Sequence, residues 1–274
     1  MTTSKQVALV PGASSGIGKA AALGLAEAGF EVVGTSRNRS QVAPVGGVTF
    51  IDLDVTSDES VARAVEAAIE RFGRLDVLVN NAGTGAAGAA GAAEESTIAQ
   101  DQRVFDINFF GLVRMTKAVL PHMRAQESGR IINISSVLGL VPAPFMASYA
   151  ATKHAIEGYS ESLDHEVREH GVRVLLVEPA YTRTDFDTNA IQPDAPLPIY
   201  AAQRHVFDGV MASAMAGGDD PAVVARSIVA AATDPKPKLR YTAGPTAGRV
   251  SALRRYVPSW AFDRQIRKLN RLPA

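Results

Sequence analysis

The 274-residue chain contains no cysteine. A disulfide framework, a thiolate metal site and a Cys nucleophile are therefore excluded. Metal catalysis is disfavoured as well, since no H-E-x-x-H occurs. No run of 18 uncharged apolar residues is present, so no helix is expected to span a membrane. Met1–Gln6 passes straight into a strand-like run, which leaves no room for a signal peptide. With the missing cysteines, this suits a cytoplasmic setting. Net charge is absent too, with 28 Lys and Arg against 28 Asp and Glu, but the balance is uneven along the chain. Residues 235–274 hold ten basic side chains and one acid, Asp263, a net of +9; residues 1–234 hold 18 against 27, a net of −9. The body thus lacks a basic field for nucleic acid, and only the tail would seek an anionic partner.

Apolar residues make up 46% of the chain, enough for a sizeable core. Short apolar runs at Val7–Val10, Val32–Thr35, Val48–Ile51, Val77–Asn80, Ile131–Ser135 and Val172–Val177 predict strands covered on both faces. Helices are expected over Ile17–Ala28, Asp58–Phe72, about Ser96–Met123 and about Ser148–His170, three of them stopped by Gly29, Gly73 and Gly171. Thr56 with Glu59 three residues on predicts a capping box for the second. Repeated strand–helix alternation implies one α/β domain, a doubly wound parallel sheet with right-handed crossovers. Ala82–Ala93 and Pro179–Pro221 look irregular; both leave strand carboxyl ends, where ligands bind in such sheets.

Chemistry begins at the first strand. Val10 leads through Pro11 into Gly12, Ser14, Ser15, Gly16, Ile17 and Gly18, a G-x-x-x-G-x-G spacing that opens a helix. Glycines there permit a tight turn, close backbone approach to a pyrophosphate and close helix–strand packing, while the helix N-terminus favours the anion. About 18 residues past Gly18, NAD sites place an acid for the ribose 2′-OH; this chain has Arg37. A guanidinium would pair with a 2′-phosphate through charge-assisted bonds of roughly 1.5–3 kcal/mol, so NADP(H) is expected rather than NAD(H). Tyr149 and Lys153 stand one helical turn apart. An ammonium there would lower the phenol's pKa and fit Tyr149 for acid and base work. With six tyrosines such a pair also arises by chance, but Ser136 ends a strand on the ligand side and would hold a substrate oxygen against it. A serine nucleophile is disfavoured, since it needs a His base and four of the five His fall within predicted helices.

These residues resemble the short-chain dehydrogenase/reductase family, in its simple branch of about 250 residues. The resemblance rests on Gly12-x-x-x-Gly16-x-Gly18, Asp54-Val55, Asn80-Asn81-Ala82-Gly83, Asn108, Ser136, Tyr149-x-x-x-Lys153 and Pro179, in order, over about residues 5–245. It implies a single Rossmann-type domain, with 246–274 as a basic helical extension. It also implies an oxidoreductase that interconverts a secondary alcohol and a ketone or aldehyde. Tyr149 would be the acid/base, Ser136 would position the substrate oxygen, and Lys153 would also hold the nicotinamide ribose. Asn108 would hold a water that links Lys153 to solvent. Asp54 and Val55 would contact adenine, Asn81, Ala82 and Gly83 its ribose, and Pro179, Thr182 and Thr184 the carboxamide or phosphate region. Ala180 and Tyr181 depart from the usual glycine after Pro179. A homodimer or homotetramer through the two long helices is implied as well. An NAD-dependent member and a catalytically silent dinucleotide sensor stay open as alternatives.

Leu138, Val141, Phe145, Tyr181, Phe186, Tyr200 and Phe207 suggest a cleft for a hydrophobic alcohol or ketone, such as a lipid or steroid, although core packing explains each equally well. In the tail, Phe262, Ile266 and Leu269 recur at i, i+4 and i+7 among basic residues, with Trp260 at the start. That pattern fits docking on the protein's own body or a second subunit, and also peripheral membrane contact.

Overall fold

The computed structural model describes residues 5–83, 91–184 and 192–272. The chain runs β1 (Val7–Val10), α1 (Gly16–Glu27), β2 (Glu31–Ser36), β3 (Val48–Asp52), α2 (Asp58–Phe72) and β4 (Val77–Asn80). It continues through α3 (Ile98–Phe105), α4 (Gly111–Ala125), β5 (Gly129–Ile134), α5 (Ala147–Val167) and β6 (Val172–Pro179). Then come α6 (Ala201–Ala216), α7 (Pro221–Thr233), β7 (Arg240–Ala243), α8 (Pro245–Tyr256) and α9 (Ser259–Leu269). The strands form a seven-stranded parallel sheet in the order β3-β2-β1-β4-β5-β6-β7. Strand order reverses between β1 and β4, and a ligand crevice opens at such a switch point.

Strand pleating explains why the apolar runs are unbroken. Val7 and Leu9 enter one core with Val61, Val65, Met115 and Val119 from α2 and α4. Ala8 and Val10 enter the other with Leu25 from α1 and Val224 and Ile228 from α7. A strand buried on both faces has no polar face to show. Each fully buried Leu or Val side chain contributes roughly 1.5–3 kcal/mol before entropy is charged against it.

Several expectations are corrected. β7 adds a strand beyond the six expected, because Arg-Tyr-Thr-Ala at a sheet edge carries no apolar signal. The helix expected over Ser96–Met123 is divided: α3 and α4 are joined by a π-helical turn over Asp106–Phe110. The Pro/Ala-rich stretch after Pro179 contains α6. The box at Thr56 does not form. Ser57 caps α2 by accepting from the Ser60 amide at 3.2 Å, while the Thr56 hydroxyl donates to Asp54 at 2.7 Å.

Candidate active site

Gly12 and Gly16 hold φ of +72° and +54°, a left-handed backbone that suits glycine. At Gly18 the limit is space, since a Cβ would lie 2.2 Å from the Gly12 carbonyl oxygen and 2.4 Å from Asn81 Nδ2. Asn81, just past β4, fastens the turn by donating from Nδ2 to the Pro11 and Gly12 carbonyls at 3.1 and 3.2 Å. α1 begins at Gly16 and its N-cap, Ser15, makes no side-chain capping bond. Its first-turn N–H groups therefore meet the cavity as donors for an anion.

That turn forms one wall of a cavity of about 620 Å³. Every residue assigned above to a dinucleotide, from Gly12 to Thr184, lines it. Thr184 packs against Gly16, where a Cβ would approach its Cγ2 to 3.1 Å. The two arginines after β2 are not equivalent. Arg39 is engaged by Asp52, which accepts its backbone amide at 2.7 Å and faces its Nε at 3.5 Å. Arg37 lines the cavity, and among the described residues it forms no ion pair. Hydrogen bonds from the Thr56 amide and hydroxyl hold the Asp54 carboxyl below its ordinary range, with smaller help from the Arg37 and Arg114 charges.

Ser136, Tyr149 and Lys153 converge on the same cavity. Ser136 follows β5 and caps a short 3-10 turn, its Oγ accepting from the Leu138 amide at 3.1 Å. Tyr149 lies in the first turn of α5 and is buried. Lys153 sits one turn on, its Nζ 5.5 Å from the Tyr149 ring centroid and donating to the Ile134 carbonyl at 2.9 Å.

The expectation of a phenol made more acidic by this ammonium is not met. Burial pushes the Tyr149 hydroxyl above its ordinary value, and a hydrogen bond with Ser136 opposes this only in part. The ammonium points at a carbonyl and lies over the ring, and it is itself lowered to about 8 by burial, with the Glu157 charge working against that. The phenol is thus kept protonated, the state a proton donor needs. Asn108 is set back from the others. It is buried in the π turn with its Oδ1 3.2 Å from where a Gly83 Cβ would be, and its neighbour Ile107 lines the cavity instead. π turns recur at functional sites, yet their sequences look like ordinary helix.

The apolar end of the cavity is built from Leu138, Ala143, Met146, Phe207, Met211 and Met215. Of the residues proposed for a cleft, Leu138, Tyr181 and Phe207 line it and Val141, Phe145 and Tyr200 do not. Phe145 packs on the Phe207 and Tyr200 rings, and the Tyr200 hydroxyl donates to Glu94 at 2.5 Å. Phe186 lies outside the described residues. Sequence reading missed Met211 and Met215, which fall in the stretch taken as irregular, and Asn270, which reaches the cavity from the tail.

It also missed a charged cluster behind α5. Arg240 of β7 lies 3.0 Å from Glu157, 2.7 Å from Glu161 and 3.0 Å from Glu178, the last an ion pair not aligned as a hydrogen bond. Burial and the Glu157 charge raise the Glu178 carboxyl from 4.5 to about 7, with Arg240 opposing. For an acid raised on folding, its stabilising share is complete below the unfolded value and is lost as pH climbs to the folded one. Stability should therefore decline between about pH 4.5 and about pH 7 on this group's account. Glu178→Gln removes the decline: in urea denaturation the variant gains on the wild type between pH 5 and pH 8. An unchanged difference at the two pH values would refute this.

Residues 6–195 match the family described as short chain dehydrogenase. A 3-ketodihydrosphingosine reductase of Bacteroides thetaiotaomicron is 46% identical over 184 residues, covering 67% of this chain and 66% of that relative, just under two thirds of its length. Retinol dehydrogenase 8 of Bos taurus is 36% identical over 270 residues, covering 88% of this chain and 82% of the relative. Among solved structures, a short-chain dehydrogenase from Streptomyces avermitilis has a TM-score of 0.80 at 35% identity, covering 96% of this chain and 98% of that one. Two further structures contain dinucleotides. A Burkholderia phymatum enzyme in complex with NAD has a TM-score of 0.78 at 27% identity, covering 93% and 94% of the two chains. A Burkholderia cenocepacia enzyme in complex with NADP has a TM-score of 0.76 at 25% identity, covering 97% and 99%.

Proposed function

The chain belongs to the short-chain dehydrogenase family, and from that premise we propose that this nicotinamide-dependent oxidoreductase uses NADP(H) to interconvert a ketone or aldehyde and its alcohol on an apolar substrate. The observation that carries this reading is the convergence of Ser136, Tyr149 and Lys153 on a cavity whose other wall is the glycine turn.

The residues present fit the cofactor. The tight contact at Gly18 and the uncapped start of α1 leave a cradle of N–H donors for a pyrophosphate. Ser14 to Gly18 would hold the pyrophosphate, Arg37 the 2′-phosphate, Asp54 and Val55 the adenine, and Ala82 and Gly83 its ribose. Asn81 acts chiefly by shaping the turn. Tyr149 and Lys153 would hold the nicotinamide ribose, with Pro179, Thr182 and Thr184 beside the carboxamide. When bound, the nicotinamide supplies hydride to the carbonyl carbon or takes it from the alcohol. Ser136 orients the substrate oxygen and Tyr149 gives it a proton, while Lys153, held one turn on against the Ile134 carbonyl, serves the ribose. Asn108, one layer back, would hold the water that returns the proton.

The Met- and Leu-rich end of the cavity supports a flexible apolar substrate. So do the relatives named for 3-ketodihydrosphingosine and for retinol. Cofactor choice is tested at Arg37. NADPH should be preferred over NADH, and Arg37→Asp should shift the ratio of kcat/KM values towards NADH by about 10- to 100-fold, the equivalent of one charge-assisted pair. An unchanged ratio defeats the assignment of NADP(H).

A further inference from the structure

Of the apolar stripe Phe262, Ile266 and Leu269, the first two turn inward and Leu269 stays exposed. Phe262 of α9 is buried and Ile266 half-buried, and the Arg254 guanidinium covers the Phe262 ring at 5.5 Å. Of eight large hydrophobic side chains exposed among the described residues, four are Leu253, Tyr256, Trp260 and Leu269, with Tyr256 76% and Trp260 71% exposed. Among them stand the exposed Arg249, Arg255, Arg264, Lys268 and Arg271, none of which forms an ion pair among the described residues. Asp263 is the only acid in residues 235–274.

We propose that this face of α8 and α9 docks on an anionic lipid bilayer. Trp and Tyr favour the headgroup level, where one edge is apolar and the other wet. Arginines and lysines pair with lipid phosphate and carboxylate while their stems lie along the acyl boundary. Exposed Leu253 suits acyl chains and offers nothing to a nucleic acid, while Leu269, half a turn round α9 from Trp260, stands off that face. No helix among the described residues is long and apolar enough to cross a membrane, so the contact is peripheral. Asn270, directly after α9, shares the cavity wall with Met211 and Met215. The docking tail thus also forms part of the cavity wall, which suits a bilayer-borne carbonyl substrate; that consequence, unlike the docking, rests on the reaction proposed above.

Trp260 is the only tryptophan, so the unmodified protein reports its own docking. Its emission should shift to the blue on adding phosphatidylcholine vesicles with about 30% phosphatidylserine, and about tenfold more protein should sediment with them than with neutral vesicles. High salt should reverse both effects. Arg255→Glu, Arg264→Glu and Lys268→Glu combined should abolish the shift while leaving NADPH turnover of a water-soluble ketone unchanged. Tyr149→Phe should do the opposite, which separates failure of the docking from failure of the reaction. No shift with anionic vesicles, or equal binding to neutral ones, overturns the proposal. So does a shift that grows with protein concentration without lipid, which would identify a second copy of the acidic body as the occupant.

Discussion

Tyr149→Phe is expected to lower kcat for carbonyl reduction by about 10³-fold, within the 10²- to 10⁴-fold span of general acid catalysis. The substitution removes one oxygen and keeps the ring that packs with Met146 and Phe207. Folding should therefore change little, and the loss should fall chiefly on kcat. Burial holds the phenol protonated, the state in which it can donate to a carbonyl oxygen. Steady-state rates over a panel of ketones and aldehydes check the loss. Equal oxidation of NADPH by wild type and variant with every substrate would remove Tyr149 from the chemistry.

The second large effect concerns the cluster behind α5. Arg240→Met takes the guanidinium from between Glu157 and Glu178, both buried, and from Glu161 at the rim. Breaking a buried pair from one side costs about 3–5 kcal/mol because the remaining charge is stranded. Arg240 itself keeps 32% of its side-chain surface exposed, so the lower end applies. A loss of about 3 kcal/mol corresponds to a fall in Tm on the order of 10 °C for a chain this long. The fall should be larger at pH 8 than at pH 5, since at pH 5 Glu178, already raised to about 7, is protonated and leaves little to strand. A pH-independent change in Tm, or none, would show that the cluster contributes through packing alone. The helix it braces carries Tyr149 and Lys153, so some loss of activity in the folded variant is expected as well.

How much of this was legible in the residues follows from the kind of signal each element emits. Val7–Val10 and Val77–Asn80 are apolar on both faces, and only a covered parallel strand needs that. Gly73 and Gly171, at φ of +74° and +73°, mark helix ends because few other residues adopt that backbone. The glycine turn and the Tyr149–Lys153 pair are local in sequence, so their spacing carried over into space. What stayed hidden depends on distant partners. Arg240 meets Glu157 and Glu178 across elements far apart in the chain, and nothing in Arg-Tyr-Thr-Ala announces it. Helix α6 was masked by its Pro- and Ala-rich surroundings. The protonation state of Tyr149 depends on burial, and spacing is blind to burial.

The π turn over Asp106–Phe110 fits one surplus residue into a helix without breaking it. Each residue advances a helix by about 100°, so this surplus decides how α4 is rotated when it reaches the sheet. Met115, Val119 and Met123 face the core only in that phase. A chain shortened by one position here would form a smoother helix with its apolar side swung away from the sheet, and Asn108 would swing with it. The irregularity thus acts as a phase-setter that ties the wall behind the active site to the packing of half the domain.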